Sequence, residues 1–346
     1  MQNFSFFKKE NHLAFTRTRN GEIKIGEKIK AVSNTRNWKK EMQNSAVRFV
    51  IVGIPEDIGV KANLGTGGTQ TAWSSFLQAF FNMQHNPFLD AGQLLLLGYF
   101  DFSAYQKKTI DKPVEYLRDV VAAIDKQVAD CIRQIVAAGK IPVIIGGGHN
   151  NAFGNIKGAA EGLFAAGKIK TPKINVINLD AHADFRALEG RHSGNGFSYA
   201  MQEGHLNKYG IVGLHENYMT QSMLERIQKN KNIQAHFYED IAVRGKSTFS
   251  EAVSEVLQFT KTGYTGIEID LDAMENVLSS AVSPAGFSLL QARQFVHQAA
   301  ASNKIAYLHI CEGASELDNG LKSSTTGKLI AYLVSDFMKA INVTYE

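Results

Sequence analysis

The stretch "IPVIIGGGHNNAFGN", residues 141–155, contains an apolar run, three glycines, one histidine and the start of a helical pattern. A short apolar run rich in isoleucine and valine is typical of a strand buried on both faces. The helical pattern that follows, over 152–167, therefore predicts a strand–loop–helix unit. The loop presents His149 just beyond the strand, as a candidate ligand. Asn150 and Asn151 favour a helix cap over contact with a substrate.

The same unit recurs along the chain. Strand-like runs are predicted in "AVRFVIVGIP" and at 141–145, 174–179, 209–214, 265–271 and 305–310. Helical patterns are predicted at 113–140, 152–167, 219–230, 248–261, 288–302 and 326–341. Short apolar strands that alternate with helices predict an α/β fold with a mostly parallel central sheet, covered on both faces.

The domain organisation predicted from the sequence is simple. Residues 46–346 contain no linker, low-complexity segment or internal repeat, so a single domain is expected there. Residues 1–45 are polar and charge-rich with little periodicity, as in "RTRNGEIKIGEKIK". They are predicted to be an N-terminal extension packed on that domain.

Composition restricts the class of protein. An apolar fraction of 44%, a charged fraction of 20% and a net charge of +4 are ordinary for a globular chain, and the scattered basic residues argue against a nucleic-acid partner. No apolar window is long enough to span a bilayer, and the N-terminus lacks the pattern of a signal peptide. Two cysteines, Cys131 and Cys311, are too few for a disulfide framework. We therefore expect a cytoplasmic protein without a membrane partner.

Two further strand ends carry residues that can bind metals. In "NVINLDAHADFR", Asp180, His182 and Asp184 alternate along the chain, and in "GIEIDLDAM" Asp270 and Asp272 do the same. On an extended backbone alternate side chains share a face, so each group is predicted to converge. The carboxyl ends of parallel strands meet at one edge of the sheet, where His149 is also expected.

Metal binding explains why such a cluster can exist. Several buried carboxylates would repel one another without compensating positive charge, which two divalent cations can supply. Oxygen-rich ligation with imidazole and no thiolate suits Mn²⁺ better than structural Zn²⁺, and such a pair lowers the pKa of a shared water. Taken singly, each motif has a structural alternative: a capping or core histidine, or a solvated acidic loop.

Together the motifs "GGGH", "DAHAD" and "DLD" resemble those of the ureohydrolase family of arginases, agmatinases and formimidoylglutamases, and the resemblance extends from 53–68 to 312–319. It implies a three-layer α/β/α sandwich, often assembled as a trimer or hexamer. It also implies two Mn²⁺ per chain, bridged by a hydroxide that attacks the carbon of a small amidine or guanidine. The metal ligands implied are His149, Asp180, His182, Asp184, Asp270 and Asp272.

The resemblance also suggests catalytic roles. Asp184 would bind a metal and accept a hydrogen bond from the hydroxide. Glu312, in "HICEGASELD", corresponds to a strand-end glutamate of the family and would hold the cationic nitrogen of the substrate; an exposed strand-end carboxylate is the alternative. Phe197 stands where arginases carry a proton-shuttle histidine. His192 is therefore a candidate proton donor, with a surface histidine as the alternative.

Subgroup features favour one substrate within the family. Gly148 in "GGGH" is similar to the formimidoylglutamase pattern, whereas arginases and agmatinases usually have aspartate there. Arg186 could form a bidentate pair with a glutamate carboxylate, and Ser193 and Asn195 of "SGN" resemble the arginase loop that binds the amino-acid end of the substrate. We therefore expect hydrolysis of N-formimidoyl-L-glutamate to L-glutamate and formamide, a reaction of histidine metabolism. Thr66, where many relatives have arginine, and the altered segment "ENVLSSAVSPAG" keep arginine, agmatine and other guanidino acids open as substrates.

Three other classes of protein remain as alternatives. A cysteine-dependent amidine hydrolase could use His309, Cys311 and Glu312, which lie near one strand end. A deacetylase-like enzyme of the same general fold would use one Zn²⁺, although six ligands favour two metals. A non-catalytic relative would bind metal without turnover.

Overall fold

The computed structural model describes residues 1–343, which contain ten strands and thirteen α-helices. The strands β1–β10 are Phe4–Phe6, Lys30–Ala31, Phe49–Gly53, Leu94–Phe100, Ile141–Ile145, Ile174–Leu179, Leu206–Leu214, Ile233–Phe237, Tyr264–Asp270 and Lys304–Cys311. The helices α1–α13 are His12–Phe15, Ile25–Lys28, Trp38–Asn44, Ile58–Lys61, Ala72–Phe80, Ser103–Thr109, Val114–Ala137, Asn151–Ala165, Gly196–Gln202, Gln221–Lys229, Phe249–Thr260, Leu289–Ser302 and Thr326–Val343.

The strands form one sheet in the order β1-β4-β3-β5-β10-β9-β6-β7-β8, with β2 paired to β4. All the described pairings of named strands are parallel except that of β1 with β4. The neighbours β5, β10, β9 and β6 occupy the centre of this order. Because parallel strands end at one edge, the loops after these four strands meet there.

Two helical layers cover the sheet. One apolar cluster packs α5, α11, α12 and α13 on one face, and a second packs α3, α7, α8 and α9 on the other. The helices pack on the sheet through an apolar face. In α7, for example, apolar residues recur at helical spacing and are buried: Leu117, Val121, Ile124 and Val128. The predicted three-layer α/β/α sandwich is thus confirmed. Within residues 1–343, no helix has both the length and the apolar character needed to cross a membrane.

The structure agrees with the predicted elements to within a few residues and adds others. The helix predicted over 152–167 spans Asn151–Ala165, and the strand predicted at 265–271 spans Tyr264–Asp270. The strands β1, β2, β4 and β8 were missing from the prediction.

The first 45 residues contribute more structure than their polar sequence indicates. Strands β1 and β2 pair with β4, and Trp38 and Met42 are buried against the core. Strands of two or three residues carry too little pattern to be recognised. The division into an extension and a domain at 46–346 stays a prediction, and residues 344–346 lie outside the described residues.

Candidate active site

The loop after β5 directs His149 into the interior. Gly146 and Gly147 have φ angles of +87° and +78°, a region that glycine adopts without strain. Gly148 has another reason to be glycine, because a Cβ there would lie 2.6 Å from Oδ1 of Asn150. The His149 side chain that follows is completely buried.

A buried carboxylate holds this loop. Oε1 of Glu56 accepts hydrogen bonds from Nδ2 of Asn150 at 3.1 Å and Nδ2 of Asn151 at 2.7 Å. It also accepts one from the amide nitrogen of Gly148 at 3.3 Å. Asn150 is the N-cap residue of α8, as predicted, but it makes no side-chain cap hydrogen bond. Instead, the side-chain amides of Asn150 and Asn151 both donate to Glu56.

The acidic motifs converge by loop geometry rather than by strand alternation. Strand β6 ends at Leu179, so Asp180 and Asp184 lie in a loop, and Asp184 has a φ of +44°. The prediction of an extended backbone there was wrong. Asp270 is the last residue of β9 and Asp272 lies in the 3₁₀ turn that follows.

The structure brings all six residues together in two groups. Nδ1 of His149 lies 3.1 Å from Oδ2 of Asp180, 2.8 Å from Oδ2 of Asp184 and 3.1 Å from Oδ2 of Asp270. Nδ1 of His182 lies 3.0 Å from Oδ2 of Asp272, and Asp180 completes this second group. Within each group one ligand atom per residue lies within 4.8 Å of the others. Asp180 belongs to both, as a bridging ligand would.

The buried carboxylates of the cluster repel one another, and bound cations would compensate their negative charge. Burial and the neighbouring carboxylate of Asp184 raise the pKa of Asp180 to about 7. Burial and Asp272 raise the pKa of Asp270 well above its ordinary value. Both ring nitrogens of His149 are buried without a hydrogen-bond partner among the described residues. An oxygen-rich donor set with two imidazoles fits two divalent cations, which would compensate these charges.

The cluster opens into a cavity of about 590 Å³. Its inner wall carries His182, Asp184, Asp270, Asp272 and Glu312. A substrate in this cavity would therefore contact both the candidate metal ligands and Glu312.

Glu312 is a buried carboxylate at the end of β10. Its Oε1 accepts a hydrogen bond from the amide nitrogen of His149 at 2.6 Å, and Oγ of Ser280 donates to its Oε2. Burial raises the pKa of Glu312 to about 8. The alternative of an exposed strand-end carboxylate was wrong, because only 3% of Glu312 is exposed.

The outer wall of the cavity carries arginine and aromatic side chains and one carboxylate, Glu189, which lies 3.3 Å from Nη2 of Arg186. Arg186 and Ser193, both predicted, line it. Nη1 of Arg186 donates to Oδ1 of Asn63 at 3.2 Å. Arg226 and Tyr218 also line it, with the Tyr218 ring stacked on His182 at 4.7 Å between centroids. Sequence reasoning missed Arg226 and Tyr218, since an arginine of an amphipathic helix gives no signal of its own.

His192 and Asn195, the other predicted residues of this loop, do not line the cavity, whereas Ser193 and Gly194 between them do. His192 is buried, with Nδ1 accepting from the amide nitrogen of Gly194 at 3.1 Å and Nε2 3.1 Å from Oε1 of Glu189. Asn195 is buried, and its amide donates to backbone carbonyls of the same loop. Phe197 packs edge-on against the His149 ring at 5.0 Å. This geometry gives no support to His192 as proton donor or to Asn195 as a substrate contact.

The cysteine alternative fits the structure poorly. Cys311 is buried, and burial raises the pKa of its thiol well above the ordinary value. Its neighbour His309 is engaged by Glu268, with 2.6 Å between Nδ1 and Oε2. A nucleophilic cysteine needs a lowered pKa and access to substrate, so the cavity favours metal chemistry.

Comparison with known proteins extends these observations. A family model described as the Arginase family matches residues 47–339. The formimidoylglutamase of Chromobacterium violaceum is 27% identical over 268 residues, which make up 73% of this chain and 77% of that relative.

Solved structures share the architecture. The formimidoylglutamase of Bacillus subtilis matches with a TM-score of 0.72 and 17% identity over 95% of each chain. The formiminoglutamase of Trypanosoma cruzi, solved with Mn²⁺, matches with a TM-score of 0.68 and 18% identity over 94% of this chain and 99% of that one. The sandwich described above is therefore the fold of these enzymes.

Proposed function

The chain belongs to the arginase family, and on that premise we propose that it is a binuclear manganese hydrolase of linear amidines whose substrate is N-formimidoyl-L-glutamate. The products are L-glutamate and formamide. The observation that carries this proposal is the convergence of six ligand-type side chains from three strand ends, four of which line one cavity. The relatives named formimidoylglutamase support the choice of substrate.

The metal ions would be held by the two overlapping groups. Asp180 belongs to both groups, and one group adds Asp184 whereas the other adds Asp272. Mn²⁺ suits this set because the donors are oxygen and imidazole. A pair of such ions, when bound, activates a water molecule and offsets the carboxylate charge.

The residues around the metals would position the amidine. Glu312 faces the cavity beside Asp184 and Asp272, where its carboxylate can hold the cationic formimino nitrogen. Asp184 would bind a metal and also accept a hydrogen bond from the attacking water. Because an amidine carbon is a poor electrophile, holding its cationic form and the nucleophile in line lowers the barrier.

The outer wall holds two arginines and one glutamate, Glu189, and the two arginines suit a substrate with carboxylates. Arg186 and Arg226 both line the cavity beyond the metal groups, and Ser193 adds a hydroxyl. N-formimidoyl-L-glutamate carries two carboxylates, which guanidinium groups bind well. Agmatine has no carboxylate, so this wall favours an acidic substrate over it.

The cellular compartment and the oligomeric assembly are also part of the proposal. Both cysteines, Cys131 and Cys311, are free and buried, which fits a reducing compartment such as the cytoplasm. A role in histidine breakdown follows from the proposed substrate. Assembly as a trimer or hexamer is proposed from the family resemblance.

The proposal is tested with the metal-depleted chain reloaded with Mn²⁺ and offered N-formimidoyl-L-glutamate, arginine and agmatine in parallel. We expect formamide release from the first substrate only. Arg226→Gln should raise KM for that substrate about tenfold or more and leave Mn²⁺ binding unchanged, because one charge-assisted contact is lost.

Arg133→Gln, which changes a partly exposed arginine of α7 outside the cavity, is the matched control and should behave like the wild type. Urea release from arginine would reject the proposed substrate while supporting the metal centre. No turnover of any of the three by the Mn²⁺-loaded chain would reject this proposal in favour of the non-catalytic alternative.

A further inference from the structure

A polar ladder lies beneath the candidate metal cluster, on the face shared by β9 and β10. Glu268 of β9 pairs in register with His309 of β10, and Tyr307 pairs with Gly266. Gly266 makes room for the tyrosine, because a Cβ there would lie 2.7 Å from its Oη and closer to its ring. Both strands are central in the sheet, so this ladder is enclosed by protein on all sides.

The carboxylate of Glu268 is held from two directions. Oη of Tyr307 donates to Oε1 at 2.6 Å, and Nδ1 of His309 lies 2.6 Å from Oε2. The other ring nitrogen of His309 lies 3.4 Å from the carbonyl oxygen of Gly146. Glu268 has no exposed surface. A buried carboxylate fixed in this way has a defined direction for its remaining lone pairs.

Glu268 also lies close to the histidine of the cluster. Oε2 of Glu268 lies 3.5 Å from Nε2 of His149. The opposite ring nitrogen, Nδ1, faces the carboxylates of Asp180, Asp184 and Asp270. A histidine that binds a metal through one nitrogen commonly donates its other N–H to a carboxylate, which fixes the tautomer. Nε2 of His149 makes no hydrogen bond among the described residues, and the carboxylate of Glu268, at 3.5 Å, is placed to accept its proton once Nδ1 binds a metal.

We propose that Glu268 is a positioning residue that accepts the Nε2 proton of His149 and so presents Nδ1 as a metal ligand. Tyr307 and His309 orient Glu268 for this role. The inference rests on the metal centre of the proposed function. It adds a residue that lies outside the six candidate ligands and does not line the cavity.

The test measures Mn²⁺ binding to the metal-depleted chain by isothermal titration calorimetry. Glu268→Gln keeps the shape but loses the charge, so binding at the site that contains His149 should weaken about tenfold. Binding at the site that contains His182 and Asp272 should stay within about twofold of the wild type. Tyr307→Phe removes one of the bonds that hold Glu268 and should weaken the same site by a smaller factor.

Asp125→Asn is the matched control, because Asp125 is also a buried carboxylate but is paired with Arg191 at 2.8 Å. It should bind both ions like the wild type. The inference is overturned if Glu268→Gln binds both ions within twofold of the wild type, or if Asp125→Asn loses the same affinity. If Glu268→Gln does not fold, as judged by circular dichroism, Tyr307→Phe decides in the same way. A wild type that binds no Mn²⁺ would overturn the proposed function itself.

Discussion

Two acidic residues of the cavity, Asp184 and Glu312, have φ angles of +44° and +60°. Residues other than glycine seldom adopt this left-handed region, and their presence there costs of the order of 1 kcal/mol or more. Such conformations persist where the surroundings determine them and are concentrated at functional sites. The amide nitrogen of His149 donates a hydrogen bond to the carboxylate of Glu312, which lines the cavity. The backbone therefore supports the roles proposed for both side chains.

A buried histidine gives a prediction about pH. Burial lowers the pKa of His192 to about 4, from 6.5 in the unfolded chain. The unfolded chain therefore binds this proton more readily, so the stability is complete above pH 6.5 and is lost as the pH falls toward 4. In His192→Asn, Oδ1 can replace Nδ1 as the acceptor for Gly194. Between pH 7 and 5.5 this variant should lose about 1 kcal/mol less free energy of unfolding than the wild type.

Urea denaturation of the metal-depleted proteins at the two pH values measures this difference. His297→Asn is the control, since His297 is exposed in α12 and its replacement should keep the wild-type dependence. Equal losses in His192→Asn and the wild type would contradict the prediction. The same variant, loaded with Mn²⁺, also tests whether His192 donates a proton, because its neutral, buried ring should be dispensable for turnover.

At the scale of elements, the loop between β5 and α8 depends on Glu56. This carboxylate is buried and accepts hydrogen bonds from the backbone of Gly59 and Gly148 and from two asparagine side chains. Its acceptors thus serve donors that would otherwise be buried without partners. The loop that presents His149 is therefore built on a contact between β3's following segment and α8, far apart in sequence.

Glu56→Gln should destabilise this arrangement by about 1–3 kcal/mol, because an amide NH₂ group would face donors. Thermal and urea unfolding of the metal-depleted chain measure the loss. Glu115→Gln, an exposed change of the same chemistry in α7, should unfold like the wild type. A Glu56→Gln variant as stable as the wild type would show that the loop does not depend on the Glu56 carboxylate.

The sequence predicted the strands and helices that are long enough to show a hydrophobic pattern, and it predicted the candidate ligands that lie together in short motifs. The central strands, such as Ile141–Ile145, are buried on both faces and read as unbroken apolar runs. The two residues of β2 carry no such pattern. Glu56, Arg226 and Glu268 were missed because their roles depend on partners brought close by the sheet order.

At the scale of the whole molecule, that sheet order assembles the site. Strand β10 lies between β5 and β9, although it is the last strand in the chain. Its insertion places Glu312 beside the loop that carries His149 and next to the aspartates at the end of β9. The fold therefore crowds these carboxylates together, and the metal-free chain bears the cost of burying them.

This cost predicts opposite effects of one substitution with and without metal. In the metal-free chain Asp270→Asn removes one of the crowded carboxylates and keeps an oxygen for the amide of Asp272, so the melting temperature should rise. With Mn²⁺ the wild type should gain about 2.7 kcal/mol per ion at 100 times the dissociation constant. The variant should gain less, because a neutral amide is a weaker ligand than a carboxylate.

Differential scanning calorimetry with EDTA and with graded Mn²⁺ measures both effects, and Asp125→Asn, which alters a buried carboxylate outside the cluster, is the control. A wild-type melting temperature that does not respond to Mn²⁺, or an Asp270→Asn chain that melts below the wild type in EDTA, would contradict the prediction.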